Sequence, residues 1–143
     1  MCSASRSDNI TCAGPPGDTI TAANTVKLCG NFLIVAALDA MGESIALANK
    51  SGVDAAKMWD MLGQTLFSSP IYQNYSKIIL QQNFEPAAFT AKLGLKDMRL
   101  VDQQAGSVHQ SMPMLQLLKS QLEQLVASGK GSYDWSAIST VAK

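Results

Sequence analysis

Charge is scarce in this chain. Only 15% of its 143 residues are Asp, Glu, Lys or Arg, while 47% are hydrophobic. Ordinary globular chains carry about 25% charged residues, so the composition argues for a large buried fraction and against a chain disordered throughout. Eleven basic and eleven acidic residues cancel, leaving no basic field to attract nucleic acid or an anionic membrane. Histidine occurs once, at His109, and cysteine three times, at Cys2, Cys12 and Cys29. With no CxxC and no Cys/His cluster, no metal centre is expected. An odd cysteine count gives no disulfide framework, so the expected compartment is the reducing cytoplasm. Neither GxGxxG nor GxxxxGK[ST] occurs, which removes the recognisable phosphate-cradling turns. The longest apolar run, Phe32 to Leu38, falls far short of the roughly 20 residues that span a bilayer, and Asp39 and Glu43 follow it.

What the chain does have is helical periodicity. Residues 1–18 are rich in Ser, Gly, Pro and polar side chains and read as an irregular, disordered leader without the apolar core of a signal peptide. From Thr19 to Asn49 no proline intervenes, and Val26, Cys29, Leu33, Ala36, Ala40 and Leu47 make a wide apolar stripe. The pattern predicts one long central helix, in which Gly30 and Gly42 mark a close approach or a bend. Asp54 is placed to cap a helix to about Leu66, and Ser69-Pro70 opens one to about Gln82. A further helix is expected from Phe89 to Ala105 and another from Pro113 to Gly129. In the latter, Leu115, Leu118, Leu122 and Leu125 form a seam at 3-4-3 spacing. Asp134 caps a last helix to about Ala142. No strand alternation stands out, so the expected class is all-α, a multi-helix bundle over residues 19–143 around its first helix.

Two clusters could carry chemistry. Lys27 and Asn31 are spaced i,i+4 and share a face of a helix that is otherwise apolar. A partly desolvated lysine works as a general acid near neutral pH. A lysine snorkelling to solvent at a helix start gives the same pattern. The second cluster, Phe89, Lys92, Lys96 and Asp97, falls on one side of one predicted helix, and Lys96-Asp97 reads equally as a solvated pair. Asp39 and Glu43 also share a face. There, pairing of one carboxylate with a basic residue across a helix interface competes with an acid/base role. His109 lies in a connector and reads as an exposed side chain.

The segments Ala22-Ala23-Asn24-Thr25-Val26-Lys27-Leu28-Cys29-Gly30-Asn31-Phe32-Leu33, Glu43-Ser44-Ile45-Ala46-Leu47-Ala48 and Ser51-Gly52-Val53-Asp54 resemble the C-terminal domain of the β-hydroxyacid dehydrogenases. That group includes 3-hydroxyisobutyrate dehydrogenase, glyoxylate/succinic semialdehyde reductase and the imine reductases, with a fold like the C-terminal domain of 6-phosphogluconate dehydrogenase. Phe89 with Leu95-Lys96-Asp97-Met98-Arg99-Leu100, the Met112-Pro113 turn, and Gly129-Lys130-Gly131-Ser132-Tyr133-Asp134-Trp135-Ser136 fit its later part. The resemblance implies NAD or NADP chemistry, because no side chain carries a hydride. It implies Lys27 as the acid/base, Asn31, Phe89 and Asp97 at the substrate, and Lys96 near the cofactor. It implies a homodimer through the helical domain, with the leucine seam and low charge suiting the interface. Two features depart from the family. Its Rossmann domain, which holds the glycine-rich turn, has no counterpart in residues 1–21, and Thr19 to Thr21 stand where glycine is usual. The expectation is half of an active site, inactive alone and binding no cofactor tightly unless another chain supplies a Rossmann domain. A standalone helical oligomerisation module and a small-ligand-binding domain are the competing readings.

Overall fold

The computed structural model describes residues 2–4, 10–12 and 19–141, with side chains from residue 22 onward. Five α-helices follow one another: α1 over Thr19–Lys50, α2 over Ala55–Gln64, α3 over Pro70–Gln81, α4 over Ala91–Ser107 and α5 over Pro113–Leu125. A π turn over Val126–Lys130 and a 3-10 helix over Trp135–Thr140 complete the bundle. The all-α expectation holds for the domain. In the leader, two short strands unmarked in the sequence, β1 (Cys2–Ala4) and β2 (Ile10–Cys12), pair antiparallel with Ser3 opposite Thr11. The rest of the leader, and the expected helix end at Ala142, lie outside the described residues.

α1 is the hub, packed by α4, the 3-10 helix, α3, α5 and α2. Leu28, Val35, Leu38, Met41, Ile45 and Ala48 enter the core from it. By length and hydropathy alone its Ala22–Lys50 portion could cross a membrane, yet this buried stripe identifies it as the central helix of the bundle. Its two glycines part company. A Cβ on Gly42 would lie 2.5 Å from the Ser139 Cβ and 2.6 Å from that residue's carbonyl oxygen, so Gly42 is where the 3-10 helix closes on α1. Nothing lies within 4 Å of a Cβ at Gly30.

Boundaries follow capping chemistry. The Asp54 carboxylate accepts from the Ala56 and Lys57 amides, starting α2 as expected. Pro70 and Pro113 open α3 and α5. α4 begins at Ala91 rather than Phe89, because the Thr90 hydroxyl caps the Leu93 amide and residues 88–92 bond instead to the C-terminal segment. α5 ends at Leu125, and its continuation toward Gly129 widens into the π turn. Leu115, Leu118, Leu122 and Leu125 are each at most 2% exposed. That seam packs into the protein's own core, so it does not serve as the interface expected of it.

Asp39 is 6% exposed and has no basic partner among the described residues, contrary to the cross-helix ion pair expected for it or Glu43. The Gln121 amide of α5, with its nitrogen turned to the carboxylate, donates to both oxygens at 2.7 and 3.2 Å. Burial, then the Glu43 charge, raise the Asp39 carboxyl from 3.8 to about 6, against the lowering effect of Gln121. The folded state therefore retains a proton that the unfolded chain has released. The stability this proton confers is complete below about 3.8 and lost as pH rises through about 6. Asp39→Asn should raise unfolding free energy at pH 7 by on the order of 1–3 kcal/mol and flatten its dependence on acid, read by denaturant titrations at several pH values. Gly42→Ala should cost about 1–3 kcal/mol in the same assay, because Ser139 backbone atoms must move.

Candidate active site

Lys27 and Asn31 stand one turn apart near the start of α1. The helix has not yet entered the bundle on all sides there: Leu28 turns inward, while Val26 is 50% exposed. Lys27 is exposed and makes no ion pair with the described residues. The partial desolvation expected from its apolar neighbours is not supplied by the described residues: Leu28 turns into the core, while Val26 and Cys29 are exposed beside the lysine.

Asn31 reaches α4. Its Nδ2 donates to Asp97 Oδ2 at 2.6 Å, across a half-buried gap between helices that 66 positions of sequence separate. This bond joins the two sequence clusters. Lys96, beside Asp97, is exposed and makes no ion pair with the described residues, and Lys92 is exposed one turn earlier. The reading of Lys96-Asp97 as a solvated pair fails for Asp97, which is engaged by Asn31.

Phe89 is not on the helix with these residues. It lies in the loop before the Thr90 cap, half-buried, with its ring centroid 4.5 Å from that of Trp135 and tilted by 55°. Asp134 holds it there. One Asp134 oxygen accepts from the Ala88 and Phe89 amides, each at 3.2 Å, and the other from the Ser136 amide at 3.0 Å and hydroxyl at 2.6 Å. Trp135 N donates to the Phe89 carbonyl at 2.8 Å, and the Ala91 and Lys92 amides donate to the Tyr133 and Gly131 carbonyls. Beneath this clasp, Trp135 Nε1 donates to the Tyr75 hydroxyl at 2.8 Å, and burial pushes the Tyr75 hydroxyl above its ordinary range. The sequence marks Asp134 as a helix cap only. Its second role, holding the loop before α4, depends on residues some 45 positions away.

No described hydrogen bond or ring contact joins Phe89 or Lys96 to Lys27. The 840 Å³ groove runs past Asn49, Lys50, Asp54 and Lys77 at the far end of α1, away from the five expected residues. A smaller apolar one of about 210 Å³ is lined by Leu28, Cys29, Val101 and Met112. Lys27, Asn31 and Asp97 form an open face with a cationic donor beside a fixed amide. His109 is exposed, as expected, with a positive φ of 55°.

Residues 21–142 match the family described as NAD-binding of NADP-dependent 3-hydroxyisobutyrate dehydrogenase. The chain belongs to that family. An uncharacterised oxidoreductase of Bacillus subtilis, YfjR, is 38% identical over 85% of this chain and 42% of its own length. The L-threonate dehydrogenase of Haemophilus influenzae is 26% identical over 85% of the chain and 40% of its own length. The fold is also that of 3-hydroxyisobutyrate dehydrogenase from Salmonella typhimurium, with a TM-score of 0.74 and 21% identity over 82% of this chain and 41% of that one. The chain spans about two fifths of the length of these relatives.

Because the Asp134 carboxylate satisfies four buried or half-buried donors, Asp134→Ala should lower stability by about 2–4 kcal/mol in chemical denaturation. Loss of Phe89–Trp135 ring-current shifts should accompany it.

Proposed function

We propose that this chain is the catalytic-side helical domain of an NAD(P)-dependent dehydrogenase acting on a small hydroxy acid or aldehyde acid, and that it is inactive by itself. The observation that carries this reading is the meeting of Asp97 with Asn31 on the helix that bears an exposed Lys27, which has no ion pair among the described residues, in a chain whose family is NAD(P)-dependent. An acid/base lysine must reach the reacting oxygen, and an ion pair would hold it back. The exposure of Lys27, with no ion pair among the described residues, supports that role. In this reading its ammonium donates a proton to the carbonyl oxygen during reduction, and in oxidation its neutral amine takes the proton from the hydroxyl. Asn31 and Asp97 lie at the substrate, and Phe89, held by Asp134 and Trp135, supplies an apolar wall.

The nicotinamide cofactor, when bound, supplies the hydride. Lys96 fits a cofactor phosphate as an exposed cation, but no glycine-rich turn accompanies it, so tight binding requires a Rossmann domain from outside these residues. Cys29 is a free, exposed thiol, consistent with a reducing compartment such as the cytoplasm.

A second reading, a non-catalytic oligomerisation module, has one observation in its favour. Val26, Leu33 and Leu47 are 50%, 65% and 68% exposed along α1, a face suited to a second copy in a homodimer. A monomer in sedimentation at micromolar concentration would count against it.

The catalytic reading predicts no NADPH oxidation by the isolated chain with succinic semialdehyde or glyoxylate. Residues 21–142, grafted in place of the matching segment of the Haemophilus influenzae L-threonate dehydrogenase, should support NAD(P)-dependent turnover. Lys27→Ala in that chimera should cut the rate about 10²–10⁴-fold while leaving the melting temperature near the parent's, since Lys27 is exposed. Turnover indifferent to Lys27→Ala would sink the assignment.

A further inference from the structure

Asn31 and Asp97 meet at the half-buried line between α1 and α4, with 2.6 Å between Nδ2 and Oδ2. That is at the short end for a bond to a carboxylate. A carboxylate only accepts, whereas an asparagine amide has a donor end and an acceptor end. Asp97 therefore admits one orientation of the Asn31 amide, with its nitrogen toward α4 and its carbonyl oxygen away from it. The reversed amide would set oxygen against oxygen.

We infer that Asp97 is a positioning residue that acts through Asn31, fixing the amide so that its carbonyl oxygen is offered as an acceptor on the helix that carries Lys27 one turn earlier. The inference rests on the reading of Lys27 as acid/base, and it moves Asp97 from direct substrate contact to control of its neighbour. The Lys27 ammonium only donates. The fixed acceptor thus suits a donor, either the ammonium itself or a ligand hydroxyl other than the one whose proton Lys27 exchanges. Without Asp97 the amide could turn, and its donor end would then stand near a second donor.

The test is nuclear magnetic resonance on the full chain labelled with heavy nitrogen and carbon. The unaltered chain should show a coupling across the hydrogen bond between Asn31 Nδ2 and the Asp97 carboxyl carbon, and a single orientation of the Asn31 amide. Asp97→Leu, which has no acceptor, should lose the coupling and release the amide. Asp97→Asn, which offers a donor end as well as an acceptor end, should keep a bond to Asn31 but allow its amide both orientations. The amide signature, rather than the melting temperature, is the readout, because a simple tie between helices would move the latter too. Absence of the coupling in the unaltered chain overturns the inference, even where the leucine variant does not fold. An Asn31 amide unchanged by Asp97→Leu in a folded variant also overturns it. Neither result decides the role of Lys27, which the chimera tests separately.

Discussion

A helix as apolar as α1 cannot stand in water alone, and burying one side of it organises the rest of the molecule. Its inward residues, from Leu28 through Ala48, form the wall on which the four later α-helices and the 3-10 helix pack. Burial of each large side chain there contributes roughly 1.5–3 kcal/mol. The inward stripe is complete only from Leu28 onward. The helix therefore enters the bundle with its first described turns in solvent, and Lys27 and Asn24 fall on those turns. The same constraint that builds the core leaves the candidate acid/base exposed.

The second organising interaction is the Asp134 carboxylate. It ties the loop before α4 to the segment that ends the fold, and so sets both the position of Phe89 and the residue at which α4 begins. Together with the Asn31–Asp97 bond, it gives α4 two anchors, one at its cap and one near its middle. Side chains on the exposed side of α4, Lys92 and Lys96, are then presented from a fixed base.

The long helix, the Asp54 cap, the Pro70 and Pro113 starts and the i,i+4 relation of Lys27 and Asn31 were all readable along the chain, because each depends on neighbours within a turn or two. Periodicity also found the seam from Leu115 to Leu125, but it could not tell inward from outward, and the seam faces the protein's own core. The start of α4 was misread because local pattern extends the helix to Phe89, whereas Asp134 and Tyr133, distant in sequence, take those backbone groups. The spacing of Asp39 and Glu43 suggests that one of them pairs with a basic residue, and the structure shows otherwise for Asp39. Its partner is an amide on α5, and a glutamine carries no charge pattern that would announce it. The Asn31–Asp97 bond lies beyond periodicity for the same reason. The family resemblance placed both residues at the site without saying that they touch.

The close seating of Ser139 on Gly42 joins the first helix to the last nearly across the whole described chain. Contacts so far apart in sequence form late, because the closure entropy of the intervening chain must be met first. During synthesis, the part of α1 that the 3-10 helix covers would therefore stay bare until that segment emerges. A truncation that spares every candidate site residue but removes the 3-10 helix would leave the same part of α1 uncovered.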